Sequence, residues 1–393
     1  MGLGLAFALT SFAMAVTGPA AHAIDAVPIT TCGQSVATDA VLVKNLTCAG
    51  DGVIITGDGV TVDLGGHVLR STAGGGRGVV IDAPSGSTAT VRGPGKIKGF
   101  GTGILGGRIE PIPHHIIVIG ATLLDNNEGI RVYESVTDVV RTTIRGISGI
   151  GPEFGSVINL DESTVVSSGV AIGGSPGLTV RNEIHISNSQ LRGGSLDVSQ
   201  DTHLHAVEST FTNISSFECS ESSVRIERSR LVNTSFSFQA ECGGSFEDNT
   251  FRSTSGGVAL SLISRSWPGT FPISGNRFSG WDDAVLIGAY FERTEITGNR
   301  FEHNVTGIRA SASPGPTPDC SIGSDGVIRN NTLVHNSGDA VALCGQWAVG
   351  GNRVLSNGGL GINAAGAQIT DEGGNIARGN AEPQCVGVIC TRR

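Results

Sequence analysis

Apolar and polar residues alternate in short runs from one end of the chain to the other. GIRVY (129–133), GVAI (169–172), SLDV (195–198), SFSF (235–238), GVALSL (257–262) and AVAL (340–343) form one set. A second set, EIHIS (183–187), SVRIE (223–227) and TEITG (294–298), ends just before a conspicuous apolar position. Period-two alternation puts every second side chain on the same face, so each run predicts a short strand with one buried side. Gly, Ser and Asn punctuate the runs, as expected for tight corners.

The apolar position after the second set is an anchor that repeats. GNRF occurs at 275–278 and again at 298–301, each time placing Phe two residues after Asn. Leu333 follows Asn331, Val354 follows Asn352 and Phe251 follows Asn249 in the same way. Upstream, Ser takes the place of Asn: Leu231 follows Ser229, Phe211 follows Ser209, Leu191 follows Ser189 and Val165 follows Ser163. Ile144 follows Thr142 and Leu123 follows Ala121. From Leu123 onward the steps are 21, 21, 26, 20, 20, 20, 27, 23, 32 and 21 residues. Val68, Ile97 and Ile376 are weaker members. A base period near 21 with insertions is the signature of a solenoid; a propeller blade needs about twice that length. The leucine-rich pattern L-x-x-L-x-L-x-x-N is absent. Two or three strands per period predict a parallel β-solenoid whose equivalent strands stack about 4.8 Å apart. One coil cannot bury its apolar face alone, so the coils must adjoin.

The fold expected is therefore all-β: a single-stranded right-handed parallel β-helix of about 13 coils, running from about residue 30 to 390. The hand follows from the strong bias of parallel crossover connections. Asn249, Asn276, Asn299, Asn331 and Asn352 should lie above one another at a corner. There their amides can hydrogen-bond along the stack, and Asn tolerates left-handed backbone. The upstream Ser residues should continue this column with weaker bonding.

Composition agrees and narrows the function. The chain is 39% apolar and 16% charged, with 59 Gly, which suits an all-β protein rich in turns. A net charge of -9 argues against a nucleic-acid partner. Leu3 to Val16 is an uncharged apolar run followed by Ala21-His22-Ala23, which reads as an export signal over residues 1–23 with the solenoid at 24–393. No Lys or Arg precedes the run, a departure from the usual signal, since the first basic residue is Lys44. No later segment is long and apolar enough to span a membrane. The eight cysteines, Cys32, Cys48, Cys219, Cys242, Cys320, Cys344, Cys385 and Cys390, are an even number and suggest disulfides in an exported protein. Pairing by neighbours is the natural choice among roughly a hundred connectivities. None forms C-x-x-C, which argues against zinc.

Three segments carry a resemblance to a known family. CGQSVATDAVLVKNLTCAGDGVIITGDGVTVDLGGHVL (32–69), NTLVHNSGDAVAL (331–343) and GNIARGNAEPQCVGVIC (374–390) resemble the opening, central and closing coils of secreted bacterial right-handed β-helix repeat proteins of the pectin-lyase-like superfamily. The resemblance covers nearly all of the chain after the signal. It specifies fold rather than function, because that superfamily hosts lyases, hydrolases, epimerases and non-enzymes. In such a fold, Cys219 and Cys242, and Cys320 and Cys344, stand about one coil apart, within disulfide reach. Cys32–Cys48 would close the first coil, and Cys385–Cys390 would pin the tail over an exposed strand edge.

A solenoid displays side chains in columns, so chemistry should appear as a column. Six residues before each anchor stand Asp138, Asn159, His185, His205, Arg225 and Ser245; four before stand Val140, Asp161, Ser187, Val207, Glu227 and Glu247. His185, His205 and Arg225 would form a ladder with Asp161 and Glu227 beside it. Arg suits a sugar carboxylate and His suits proton transfer, but a solvated sheet face must carry polar residues in any case. A second group, Asp282, Asp283, His303 and Arg309, resembles in part the polygalacturonase-type hydrolases of this superfamily, in which acidic residues of adjacent coils act as acid and base. The coil STSGGVAL (253–260) lacks the further Asp that such enzymes carry, and HNVTG (303–307) departs from their Gly-His-Gly pattern. Alginate and chondroitin lyases of this fold use Lys or Arg with acidic calcium ligands. Here the three Lys are confined to positions 44, 96 and 98, and Arg131, Tyr133, Asp197 and Glu218 make no acidic rows. No metal or cofactor is expected, and neither a Walker P-loop nor H-E-x-x-H occurs. His114-His115 reads as a turn and SASPGPTPDC (311–320) as a surface loop.

The functional expectation is a secreted, monomeric protein that binds or cleaves extracellular polysaccharide, acidic chains included, by lyase- or hydrolase-type chemistry in the latter case. The alternative is a non-catalytic surface or matrix protein that binds glycans. A periplasmic metal-delivery β-helix fits less well, because only 2 Met and 9 His are present.

Overall fold

A computed structural model describes residues 26–107, 112–173, 181–199, 201–238, 241–263, 269–288, 291, 293–311, 320 and 324–392. The expected signal segment lies outside these residues, as does 312–319 of the Pro-rich insertion. The described chain contains 44 strands and no helix, joined in one continuous parallel solenoid of about 14 turns. The strands fall into three stacks. The first includes Asn182–Ser187, Thr202–Val207 and Ser223–Glu227. The second holds the anchors, as in Arg277–Ser279 and Arg300–Glu302. The third includes Asp283–Ile287 and Thr306–Ala310.

The anchors stack as the periodicity requires. Leu123, Ile144, Val165, Leu191, Phe211, Leu231, Phe251, Phe278, Phe301, Leu333 and Val354 occupy one continuous register column. Each is essentially inaccessible to solvent. The rings of Phe251, Phe278 and Phe301 lie nearly parallel, with centroids 4.6 and 4.9 Å apart.

Two weaker members need correcting. The column passes through Leu69, not Val68, and through Ala377, not Ile376. In each case two apolar residues are adjacent in sequence, and a one-residue shift exchanges the inner face for the outer. Strand pairing turns Leu69 and Ala377 inward, both at 0% exposure. His114-His115 is not a turn: it begins the strand His114–Ile119, with His114 buried and His115 facing out.

The corner before the anchors works by a division of labour. Gly275 and Gly298 have φ of 67° and 67°, so Gly, not Asn, takes the left-handed conformation in GNRF. The buried Asn that follows carries the ladder. The backbone N–H and side-chain Nδ2 of Asn276 both donate to Oδ1 of Asn299, at 2.8 and 3.0 Å. Asn249, Asn299, Asn331 and Asn352 repeat the pattern up to Asn375. Upstream, Thr142, Ser163, Ser189, Ser209 and Ser229 form the same column with one hydroxyl bond per rung, and Ser229 joins it to Asn249. A second ladder, Asn304–Asn336–Asn357–Asn380, follows the anchors by three residues.

All four neighbour disulfides form: Cys32–Cys48, Cys219–Cys242, Cys320–Cys344 and Cys385–Cys390, with Cα separations of 5.6, 5.8, 4.9 and 6.2 Å. No cysteine is free. Four disulfides are consistent with an extracytoplasmic protein. Among the described residues no helix is long and apolar enough to cross a membrane.

Candidate functional site

The outer face of the first stack presents the expected column. Asp138, Asn159, His185, His205, Arg225 and Ser245 are consecutive register partners. Asp161, Ser187, Val207, Glu227 and Glu247 run beside them in the next outward column. Strand alternation turns these side chains out, while Ile184, Ile186, Val224 and Ile226 point into the core.

The polar groups on this face are linked to each other. His115 Nε2 lies 2.7 Å from Asp138, and Asn159 Nδ2 donates to Asp138 at 2.7 Å. Asp161 accepts from Ser187 at 2.6 Å and from Asn188 at 3.1 Å, so it serves the corner beside the ladder rather than His185. His185 instead has Glu183 at 3.5 Å. Its ring meets that of His205 edge-on, at 6.4 Å between centroids. Glu227 is the hub: it is ion-paired with Arg225, with His205 at 3.2 Å and with Arg228 at 3.2 Å. Burial acts to raise the Glu227 carboxyl, but Arg225 and His205 prevail and hold it below the ordinary glutamate value. Arg225 also lies 3.9 Å from Glu247. His203, on the same strand as His205, is 2.9 Å from Ser223 Oγ and 3.6 Å from Asp201. Burial, aided by the nearby Arg181 guanidinium, holds His203 below its ordinary value. Ladder cations and carboxylates are thus matched on the protein itself.

The second predicted group separates. Asp283 and Arg309, each with a side chain only 13% exposed, close an ion pair at 2.9 Å on the third stack. Asp282 turns the other way, and its Oδ2 accepts the Gly257 N–H at 2.8 Å. It shares a shallow depression with His303 and His335, whose rings stack at 5.6 Å between centroids. The two aspartates therefore do not face a common reacting bond. Alternation along Asp283–Ile287 explains this, because Asp282 ends the corner and Asp283 begins the strand.

One cluster went unnoticed in the sequence. Arg131 Nε lies 2.9 Å from Glu128 and 3.6 Å from Glu153. Burial pushes the Glu128 carboxyl above its ordinary value despite Arg131, and burial likewise raises Glu153. Glu128, three residues before Arg131, was a legible signal. Glu153 was not, because its register position opposite Tyr133 depends on coil stacking.

Residues 154–317 match the family model described as periplasmic copper-binding protein (NosD). The match spans less than half of the chain, which is therefore similar to that family over its central coils. No curated protein matches. Among solved structures, the catalytic domain of a GH87 alpha-1,3-glucanase in complex with tetrasaccharides aligns with 91% of this chain and 64% of that chain, at 11% identity and a TM-score of 0.26. The chain thus spans less than two thirds of that domain, and a likeness so low carries no functional argument.

The family description raises the question of a copper site. Copper favours thiolate, thioether or imidazole ligands. All eight cysteines are in disulfides, and both methionines, Met1 and Met14, lie outside the described residues. Among the described residues, no group of three or more His, Cys, Asp or Glu side chains gathers closely enough to hold a metal ion. The donors described here do not fit a copper centre.

Proposed function

We propose that this protein is an extracytoplasmic β-solenoid that binds an extended polysaccharide lengthwise along the outer face of its first stack, without cleaving it. The observation that carries this reading is the single register column from Asp138 to Ser245. It offers one hydrogen-bonding side chain per rung, with rungs about 4.8 Å apart. That spacing is close to the length one pyranose unit adds to an extended glycan chain. A polymer lying along the solenoid axis therefore meets a polar group at each sugar.

Binding is favoured over cleavage by the arrangement of the carboxylates. Glycoside hydrolysis needs two carboxyl groups flanking one bond. Asp282 caps a backbone N–H, whereas Asp283 is held by Arg309. On the ladder, Glu227 is engaged by the Arg225 and Arg228 guanidinium groups and by the His205 ring. The ladder acts through hydrogen bonds from matched ion pairs more than through net charge. The four disulfides and the periplasmic description of the family matching residues 154–317 support an extracytoplasmic location.

The test is native gel electrophoresis through soluble neutral and uronate polysaccharides, with reducing ends and absorbance of unsaturated products followed in parallel. The expected result is retardation by at least one glycan, weakened in Arg225→Ala, with no product formed. No retardation by any glycan, or retardation unaffected in Arg225→Ala, overturns the ladder reading. Product formation overturns the non-catalytic part and returns the lyase or hydrolase alternative.

A further inference from the structure

The column that carries the ladder does not stop at Ser245. It continues through Pro272, Glu295, Val327 and Ala348 to Thr370. There the flat face gives way to a cavity of about 530 Å³. A second cavity of about 350 Å³ continues from it and shares Asp325, Gln346 and Gln368. Volumes of this size lie within the range of about 300–1,000 Å³ typical of ligand sites.

The lining has a definite chemistry. Asp325, Gln346 and Gln368 are register partners on three successive rungs, so their polar groups repeat along one wall. The Arg293 backbone N–H donates to Asp325 Oδ1 at 2.6 Å, which fixes that carboxylate. The floor is small and apolar, built from Val327 and Ala348 with Ile369 beside them. Trp347 stands beneath, held by its Nε1–H bond to the Cys344 carbonyl at 2.8 Å. The Cys320–Cys344 disulfide braces the end near Gln346. Thr294 also lines the cavity. It is 0% exposed, yet its hydroxyl has no hydrogen-bond partner. Thr294 shares the inward register column of Gly326 and Trp347, so this hydroxyl faces the core beneath the floor and not a ligand on it.

We propose that this cavity is a binding subsite for uncharged pyranose units. Amides and a carboxylate suit vicinal hydroxyls, and a small apolar floor suits the C–H face of a sugar ring. Glu295 and Asp325 outnumber Arg293, the one basic residue on the lining, and so disfavour a uronate. The subsite deepens the reading of the ladder by giving the same polymer a second contact, but it shares no residue with the ladder.

The experiment is isothermal titration of the intact protein with short neutral oligosaccharides of the gluco-, manno-, xylo- and galacto-series, and with a short oligouronate. Ala348→Trp fills the floor, and Gln346→Ala combined with Gln368→Ala strips the exposed wall. Arg225→Ala serves as the ladder control. The expected result is saturable binding of at least one neutral oligosaccharide, weakened at least about tenfold in both cavity variants and unchanged in Arg225→Ala. Should the ladder reading fail while the subsite stands, retardation by long polysaccharides will be insensitive to Arg225→Ala while short-oligosaccharide binding remains sensitive to Ala348→Trp. The subsite is overturned if no neutral oligosaccharide binds, if binding is unaffected in both cavity variants, or if only the oligouronate binds. Because Gln346 and Gln368 are exposed, the double variant tests the site even if Ala348→Trp does not fold.

Discussion

Residues 142–229 and 249–375 turn the same corner of the solenoid with different chemistry. In the first region a Ser hydroxyl accepts one backbone N–H per rung, the first from Thr142, and the coils repeat every 20, 21 or 26 residues. In the second an Asn accepts two bonds from the Asn of the previous coil, and the coils repeat every 21, 23, 27 or 32 residues. Asn Nδ2 also reaches a backbone carbonyl inside the coil, as Asn299 does to Ile273 at 2.7 Å. The Phe stack belongs to this second region, beginning at Phe251. Longer insertions thus coincide with the more strongly bonded corner and the larger stacked anchors. A corner that holds itself depends less on uniform coil length.

The largest expected effect is on the stack. Phe278→Ala should destabilise by about 3–5 kcal/mol, because it opens a cavity between two parallel rings. Urea unfolding monitored by circular dichroism measures it. A loss of under about 1 kcal/mol would mean that the stack contributes little to the second region.

The ladders come next. Asn299→Ala leaves the Asn276 backbone N–H and Nδ2 and the Ile273 carbonyl without their partner, so a loss of about 3 kcal/mol is expected. Ser209→Ala strands the Ser189 N–H and removes a bond to the Val207 carbonyl, which keeps the Asn188 N–H as a donor, so about 1 kcal/mol is expected. Equal losses in the same unfolding assay would erase the contrast between the two corners.

A smaller effect concerns acid. Burial acts to raise the Glu302 carboxyl, but Arg300 and Arg277 prevail and hold it below the ordinary glutamate value. The folded value is depressed, so its stabilisation is present above the ordinary glutamate range and is lost as pH falls through the lowered value. Glu302→Gln should therefore cost about 1–2 kcal/mol at neutral pH and progressively less on acidification. A deficit independent of pH would assign the loss to packing. Nearer the N-terminus, Glu128 and Glu153 have the opposite sign: their raised values give stability that is present in acid and lost as pH rises through them.

The smallest effect separates binding from stability. Arg225 is a half-exposed member of a surface network, so Arg225→Ala should change stability by less than about 1 kcal/mol while weakening glycan retardation. A larger stability loss would make Arg225 a structural partner of Glu227.

Much of this was legible in one dimension. The anchor column was readable because the core demands one large apolar side chain per coil, and the offsets of His185, His205 and Arg225 followed from it. The second ladder, at Asn304, Asn336, Asn357 and Asn380, repeats as clearly as the first, three residues after each anchor rather than two before it. Val68 and Ile376 were misplaced because their neighbours are apolar too, and alternation cannot choose between adjacent apolar residues.

Periodicity and composition by themselves determined the solenoid and which polar residues share a column, and made neighbour pairing of the cysteines the natural choice. These follow from local alternation and from the need of each coil to cover the next. Only tertiary structure decided which carboxylate answers which cation, that Asp282 and Asp283 part company, and that the polar column ends in a cavity over Ala348. Those outcomes turn on side-chain directions and, for pairs such as His205–Glu227 and Arg309–Asp283, on the stacking of residues 22 and 26 positions apart.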